Sequence, residues 1–185
     1  MNIGERFRRW KRSRGYGVHS PLAYRLVSQV VRPPRDYSYY GEEILEMNSE
    51  SEKTDTTTVA QARLLLRLVA FIQPSYVWVS RKAPDIFTEA IKLGGSVVRI
   101  YDGEVYPDEI LTADLAVIYR DKIKKSVIDR FLKPGKTLVG FELATAFVKM
   151  VERASKGGVV LEGVKGVIAV ATSDPVSHNY RISSF

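Results

Sequence analysis

The chain has 185 residues, 45% hydrophobic and 26% charged, with a net charge of +7, two histidines and no cysteine. This composition excludes disordered, collagen-like and disulfide-stapled classes, and with them thiolate metal sites and thiol nucleophiles. The length suits one domain with a real core, and two histidines as far apart as His19 and His178 argue against a His-rich metal site.

The opening, MNIGERFRRWKRSRGYG, is basic and has no apolar h-region, so it does not read as a secretory signal. No stretch approaches the roughly 20 apolar residues of a membrane span. The longest apolar-rich run, 64–72, is interrupted by Arg67. The expectation is a cytoplasmic protein with no metal and no membrane span. Charge is segregated along the chain. Residues 1–35 hold nine Lys/Arg against one acid, a net of +8, and residues 36–55 hold seven acids against one Lys, a net of −6. The basic arm reads as reaching an anionic partner, as folding against the acidic segment, or as a solvated helix face.

In chain order, Phe7 and Trp10 lie on one face of a predicted helix over 5–14, broken by Gly15 and Gly17. Ser20 then reads as an N-cap with Pro21 at the first helical position, for a helix that buries Leu22, Leu26, Val27 and Val30 and ends at Pro33-Pro34. Residues 36–55 carry Tyr37, Tyr39 and Tyr40 and read as a polar loop. Thr57 or Thr58 is the predicted cap of a stronger helix with Ala62, Leu65, Leu66, Val69 and Ile72 at helical spacing, ended by Gln73-Pro74.

Strand and helix then alternate. Predicted strands cover 76–80, 97–101, 114–119 and 136–141; predicted helices cover 85–93, about 122–132 and about 144–154. Short runs at 159–161, 167–171 and 179–183 read as antiparallel strands. The expected fold is α/β and Rossmann-like: a mostly parallel sheet with antiparallel C-terminal strands. Residues 1–75 form a helical N-terminal region that packs on the domain of residues 76–185 as one structural unit.

The segment GYGVHSPLAYRLV, the aromatic pair Tyr39-Tyr40, the run GVIAVATS and a last strand that starts His178-Asn179-Tyr180 together resemble a group of bacterial class I S-adenosylmethionine-dependent methyltransferase-like proteins. The resemblance runs nearly end to end and implies a methyltransferase-type sheet. It also implies a Gly-rich turn after the first strand, an acid at the end of the second, and further acids after the strands at 114–119 and 136–141.

The chain departs from that pattern at each position. After the first strand stands Val79-Ser80-Arg81-Lys82-Ala83-Pro84-Asp85, with no glycine to let the backbone approach a cofactor. Arg81 and Lys82 put two cations there, which reads as an anion site or simply as a well-folded turn with Pro84 at a helix start. Asp102 can still hold ribose hydroxyls, although Asp-Gly is equally a turn dipeptide. Tyr119-Arg120 stands where an Asp is implied. Glu142 alone keeps a carboxylate after the fourth strand, as a site residue or as a helix N-terminal charge. The roughly dozen residues from Asp102 to Ala113 are too few for a crossover helix, a further strand and their loops, since a parallel crossover alone takes about a dozen residues. The sheet is therefore expected to be shortened at one edge, where the family covers adenine.

No phosphate loop and no nucleophile elbow is present. His19 reads as a buried or capping residue of the Gly-Val-His-Ser-Pro turn, and His178 as structural. The leading expectation is a non-catalytic, degenerate methyltransferase-like protein that acts as a binding or interaction module, with no catalytic residue and no cofactor. An active methyltransferase is the alternative, with S-adenosylmethionine held by Ser80, Asp102 and Glu142. Nucleic-acid binding through Arg6, Arg8, Arg9, Lys11, Arg12 and Arg14, with Trp10 or Tyr16 stacking, comes last because no recognised nucleic-acid motif accompanies the arm. An uncovered edge on the second strand further suggests a homodimer, or cover by the Tyr-rich segment at 37–40.

Overall fold

A computed structural model describes residues 3–12, 14–15, 17–33, 41–44, 46, 54–95, 99–103, 107–121, 123–155, 157–163, 166–174 and 176–182. Among these, seven strands form one sheet: β1 (Tyr76–Ser80), β2 (Arg99–Gly103), β3 (Leu115–Tyr119), β4 (Thr137–Phe141), β5 (Gly158–Glu162), β6 (Gly166–Val170) and β7 (Ser177–Arg181). Their order is β2-β1-β3-β4-β6-β5-β7, with β2 at one edge. Strands β2, β1, β3 and β4 pair in parallel, and β6 runs antiparallel to both β4 and β5. The protein is thus α/β and Rossmann-like, with a mostly parallel sheet.

β1, β3 and β4 are apolar on both faces, as strands of a doubly covered sheet must be. Alternate residues divide them. Val77, Val79, Leu115, Val117, Val139 and Phe141 enter one core, while Trp78, Ala116, Ile118 and Leu138 enter the other. The first face is covered by α2 (Pro21–Arg25), a π-helical continuation (Leu26–Val31), α3 (Thr56–Ile72) and α4 (Asp85–Gly94). The second is covered by α5 (Pro107–Thr112), α6 (Lys125–Phe131) and α7 (Thr145–Ala154). Crossovers share one hand, so a chain that steps outward through α4 and then back across β1 through α5 puts those helices on opposite faces. The helix α1 (Ile3–Arg12) precedes them all and buries none of its residues.

Several sequence expectations are corrected. β7 was expected to pair antiparallel, yet it pairs parallel to β5, Gly158 opposite Ser177 through Glu162 opposite Arg181. Both edges of β6 are already taken by β4 and β5, so the returning strand must pass beyond β5, where its direction matches that of β5. The second strand is described over Arg99–Gly103 and runs past the expected end at 101, which puts Asp102 inside it, opposite Val79; 97–98 lie outside the described residues. The cap of α3 is Asp55 and not Thr57 or Thr58: its carboxylate accepts from the Thr57 and Thr58 N–H groups. The helix after Ser20 turns π-helical at Leu26, where the Ser28 hydroxyl donates to the Tyr24 carbonyl at 2.8 Å, a back-bond that loosens regular helix. The expected role of residues 37–40 lies outside the described residues.

The two terminal motifs meet in space. The Tyr180 hydroxyl on β7 accepts from the backbone N–H groups of His19 and Ser20, each at 3.2 Å, and Ser20 caps α2 through the Ala23 N–H. The His19 side chain is exposed, so the turn is fixed by Ser20 and Tyr180 and not by a buried histidine. Removing the hydroxyl in Tyr180→Phe strands the Ser20 N–H, which is buried, and weakens the His19 N–H. It should lower stability by about 1–3 kcal/mol in urea unfolding.

α3 and α4 pack closely because Gly94 has no side chain. A Cβ built there would stand 2.6 Å from the Leu66 carbonyl oxygen and 3.0 Å from Val69 Cβ. Gly94→Ala should therefore destabilise by about 1–3 kcal/mol despite its better helix propensity, because backbone cannot yield as a side chain can. A shift of the urea midpoint at unchanged slope measures it.

Candidate functional site

In an open α/β sheet, ligands bind outside the carboxyl ends of the strands where the strand order reverses. Here the reversal lies between β1 and β3, since β2 sits on one side of β1 and β3 on the other. The residues at that crevice are Ser80 and the turn after it, Tyr119-Arg120-Asp121, and Phe141-Glu142 next door.

Ser80 is buried and is already engaged. Its hydroxyl accepts from the Tyr119 N–H at 2.9 Å and faces the Tyr119 carbonyl at 3.4 Å, so it prolongs the β1–β3 ladder across the crevice floor. The Ala83 N–H donates to the Ser80 carbonyl at 2.8 Å, which makes Arg81-Lys82 the tip of a tight turn. Pro84 is the N-cap of α4 and offers no side-chain acceptor. Lys82 Nζ lies 2.8 Å from Asp121 Oδ1, so its charge is answered within the chain, across the crevice from β1 to β3. Arg81 is exposed. Asp102 is in β2; its side chain lies outside the described part of the molecule.

The next two strand ends share an unusual backbone. Arg120 after β3 and Glu142 after β4 both have positive φ, 51° and 53°. Left-handed conformations cost a residue with a Cβ on the order of 1–2 kcal/mol. The Arg120 N–H donates to the Phe141 carbonyl at 3.3 Å, and its guanidinium lies over the Tyr119 ring, 4.9 Å from the centroid. Glu142 Oε1 accepts from Gln61 Nε2 at 3.3 Å. Gln61 is buried on α3, and its own Oε1 has no hydrogen-bond partner among the described residues. Under these ends, Phe87 meets Tyr119 and Phe141 edge-on at 5.5 and 5.3 Å.

The structure places Ser80, Lys82 and Glu142 at the carboxyl end of the sheet and sets beside them three residues that the sequence did not single out, Asp121, Gln61 and Asp55. Asp55 was legible, because Asp outranks Thr as an N-cap and it stands directly before the three threonines. Gln61 carried no signal, since only folding sets it beside Glu142, 81 residues on. Among the described residues, no group of three His, Asp or Glu side chains is placed to hold a metal ion. No helix among them is long and apolar enough to cross a membrane. No family model matches the chain, and no curated protein matches it.

Asp55 supplies a pH-dependent device at this end. The Thr58 hydroxyl at 2.5 Å holds its carboxyl below the ordinary range; the Thr58 and Thr57 N–H groups and the Arg120 charge pull the same way. A lowered native value means stability that is present above the unfolded carboxylate pKa and lost as pH falls through the native one. Asp55→Asn keeps the cap but not the titration. Its stability should fall below that of the native chain near neutral pH, by the part the charged carboxylate supplies, and the gap should close as pH falls below about 4, while Asp55→Ala loses about 1 kcal/mol at neutral pH. Urea unfolding of the three proteins from pH 7 downward measures both.

Proposed function

We propose that this chain is a methyltransferase-like protein that has given up cofactor chemistry and acts as a binding or interaction module. The observation that carries the reading is the self-closure of the switch-point crevice. A cofactor loop needs open backbone donors and glycine beside β1. Here the Ser80 hydroxyl is consumed by Tyr119, and Lys82 reaches over the opening to Asp121.

The topology supports the same conclusion. The family's full fold places a helix and a further strand between the second strand and the one at 114–119, the part that covers adenine. Here the described residues between β2 and β3 hold one six-residue helix, α5, and among the described residues β2 pairs with β1 alone. Among the described residues, an adenine ring would meet a wall on one side only. At the acceptor side, Tyr119 at the end of β3 and Arg120 after it stand where the family has an acid, Asp121 beyond them is paired with Lys82, and the Glu142 carboxylate after β4 is held by Gln61. A single carboxylate already bonded to an amide is a poor general base.

Calorimetric titration with S-adenosylmethionine and S-adenosylhomocysteine in low salt tests the reading. No heat is expected from either, with folding verified by a cooperative thermal transition of the same sample. Micromolar binding that is lost in Asp102→Ala would overturn it and establish a working cofactor site.

A further inference from the structure

The helix α1 sits on the body the wrong way round for a core helix. Its apolar residues Ile3, Phe7 and Trp10 recur at i, i+4 and i+7 and so form one stripe. That stripe faces outward: Ile3 is 86% exposed, Phe7 54% and Trp10 39%. The opposite face carries Glu5, Arg9 and Arg12, all partly buried. Arg9 binds Glu5 at 3.3 Å and reaches Glu162 of β5 at 3.8 Å, while Arg181 of β7 holds the same Glu162 at 2.7 Å. The helix is thus fastened to the sheet edge by ion pairs, and its apolar side is turned to solvent.

Basic residues border the stripe on both sides. Arg6 flanks it on one side and Lys11 on the other, with Lys11 Nζ 4.8 Å from the Phe7 ring centroid and the Arg14 guanidinium 4.3 Å from that of Trp10. The Tyr24 ring, 53% exposed, lies against Gly15 just beyond. A short apolar stripe of aromatic and aliphatic residues, rimmed by Lys and Arg whose stems run along it, matches the interface of an anionic bilayer, where rings enter the headgroup boundary and cations meet phosphates. We propose that α1 docks this protein on anionic phospholipid surfaces, with Ile3, Phe7 and Trp10 inserted and Arg6, Lys11 and Arg14 at headgroup level.

Charge complementarity selects this occupant. The acidic segment does not claim the arm among the described residues: its Glu42 and Glu46 pair with Arg67 and Arg63 of α3. Nucleic acid would use the same cations, but it has no place for Ile3. Moreover, Phe7 and Trp10 stack on each other, centroids 5.8 Å apart and planes 19° off parallel, which leaves no open platform for a base. The inference is independent of the cofactor reading, because it concerns the β7 edge of the sheet and not the crevice between β1 and β3.

Co-sedimentation of the full chain with vesicles of phosphatidylcholine alone, and of phosphatidylcholine with phosphatidylglycerol in equal parts, tests it. Binding to the anionic vesicles only is expected, with a blue shift of tryptophan emission that Trp10→Phe abolishes, since the other tryptophan, Trp78, is buried. Phe7→Glu should weaken partitioning about tenfold or more. Arg6→Gln and Lys11→Gln should each weaken it about fivefold. All four positions are exposed, and circular dichroism of each variant verifies the fold. Failure of the folded protein to sediment with anionic vesicles overturns the proposal, as does equal binding to both vesicle types. Binding to duplex DNA or RNA that Phe7→Glu leaves unchanged, without vesicle binding, would overturn it in favour of a nucleic-acid partner.

Discussion

The constraint on which the structure depends is that β1, β3 and β4 have no polar face. A strand buried on both sides needs helices above and below, and the chain can supply them only by stepping outward from β1 and then reversing. That reversal puts α4 on one side and α5 on the other and opens a crevice at the carboxyl ends of β1 and β3. Everything placed at that end, from the turn after Ser80 to the left-handed residues after β3 and β4, is positioned by this one requirement. The C-terminal hairpin is a separate solution, filling the free side of β4 with β6 and forcing β7 out past β5.

A crevice produced by topology does not by itself bind anything, since function lives in the groups that line it. In this chain those groups are turned on one another. Ser80 bonds to backbone, Lys82 to Asp121 and Gln61 to Glu142, and each pair joins two different elements. Such contacts tie the loops together while using the donors and charges a ligand would need. The positive φ values at Arg120 and Glu142 fit the same picture, because strained residues persist where their surroundings over-determine them. The Arg120 N–H bond to Phe141 and the Gln61 bond to Glu142 hold those two turns in place.

Much of the scaffold was legible because period and punctuation carry it. The YVWVS and LAVIY runs, the Gly94-Gly95 stop and the Pro74 breaker put most elements within two residues of where they lie. What was not legible depends on partners distant in sequence. The parallel docking of β7 follows from which edges are already occupied, and no local pattern in SHNYR records that. The extension of β2 through Asp102 and Gly103 follows from its register on β1, not from its hydrophobic run. The substitutions at the candidate site were readable as residue types, but their mutual bonding was not, since Lys82 and Asp121 or Gln61 and Glu142 meet only after the sheet has formed. The short helix α5 was not legible because six residues are too few for a helical period to show.

The basic arm shows why composition alone could not separate its readings. A solvated face, a partner for acids and an anionic docking surface share the same count of arginines. They differ in which side of the helix meets the protein. In a solvated helix packed on a core, the apolar stripe goes inward and the charges outward. Here Arg9 goes inward to Glu162, with Glu5 paired to it, and the stripe goes outward, so burial of apolar area, which normally fastens a helix to its domain, is left unspent on the body. Ion pairs at a partly exposed edge are weak, each worth about 1 kcal/mol or less. An arrangement that relies on weak pairs for attachment and keeps its strongest driving force on the outer side is stable in this pose only at modest strength. It gains most from an apolar surface bearing negative charge.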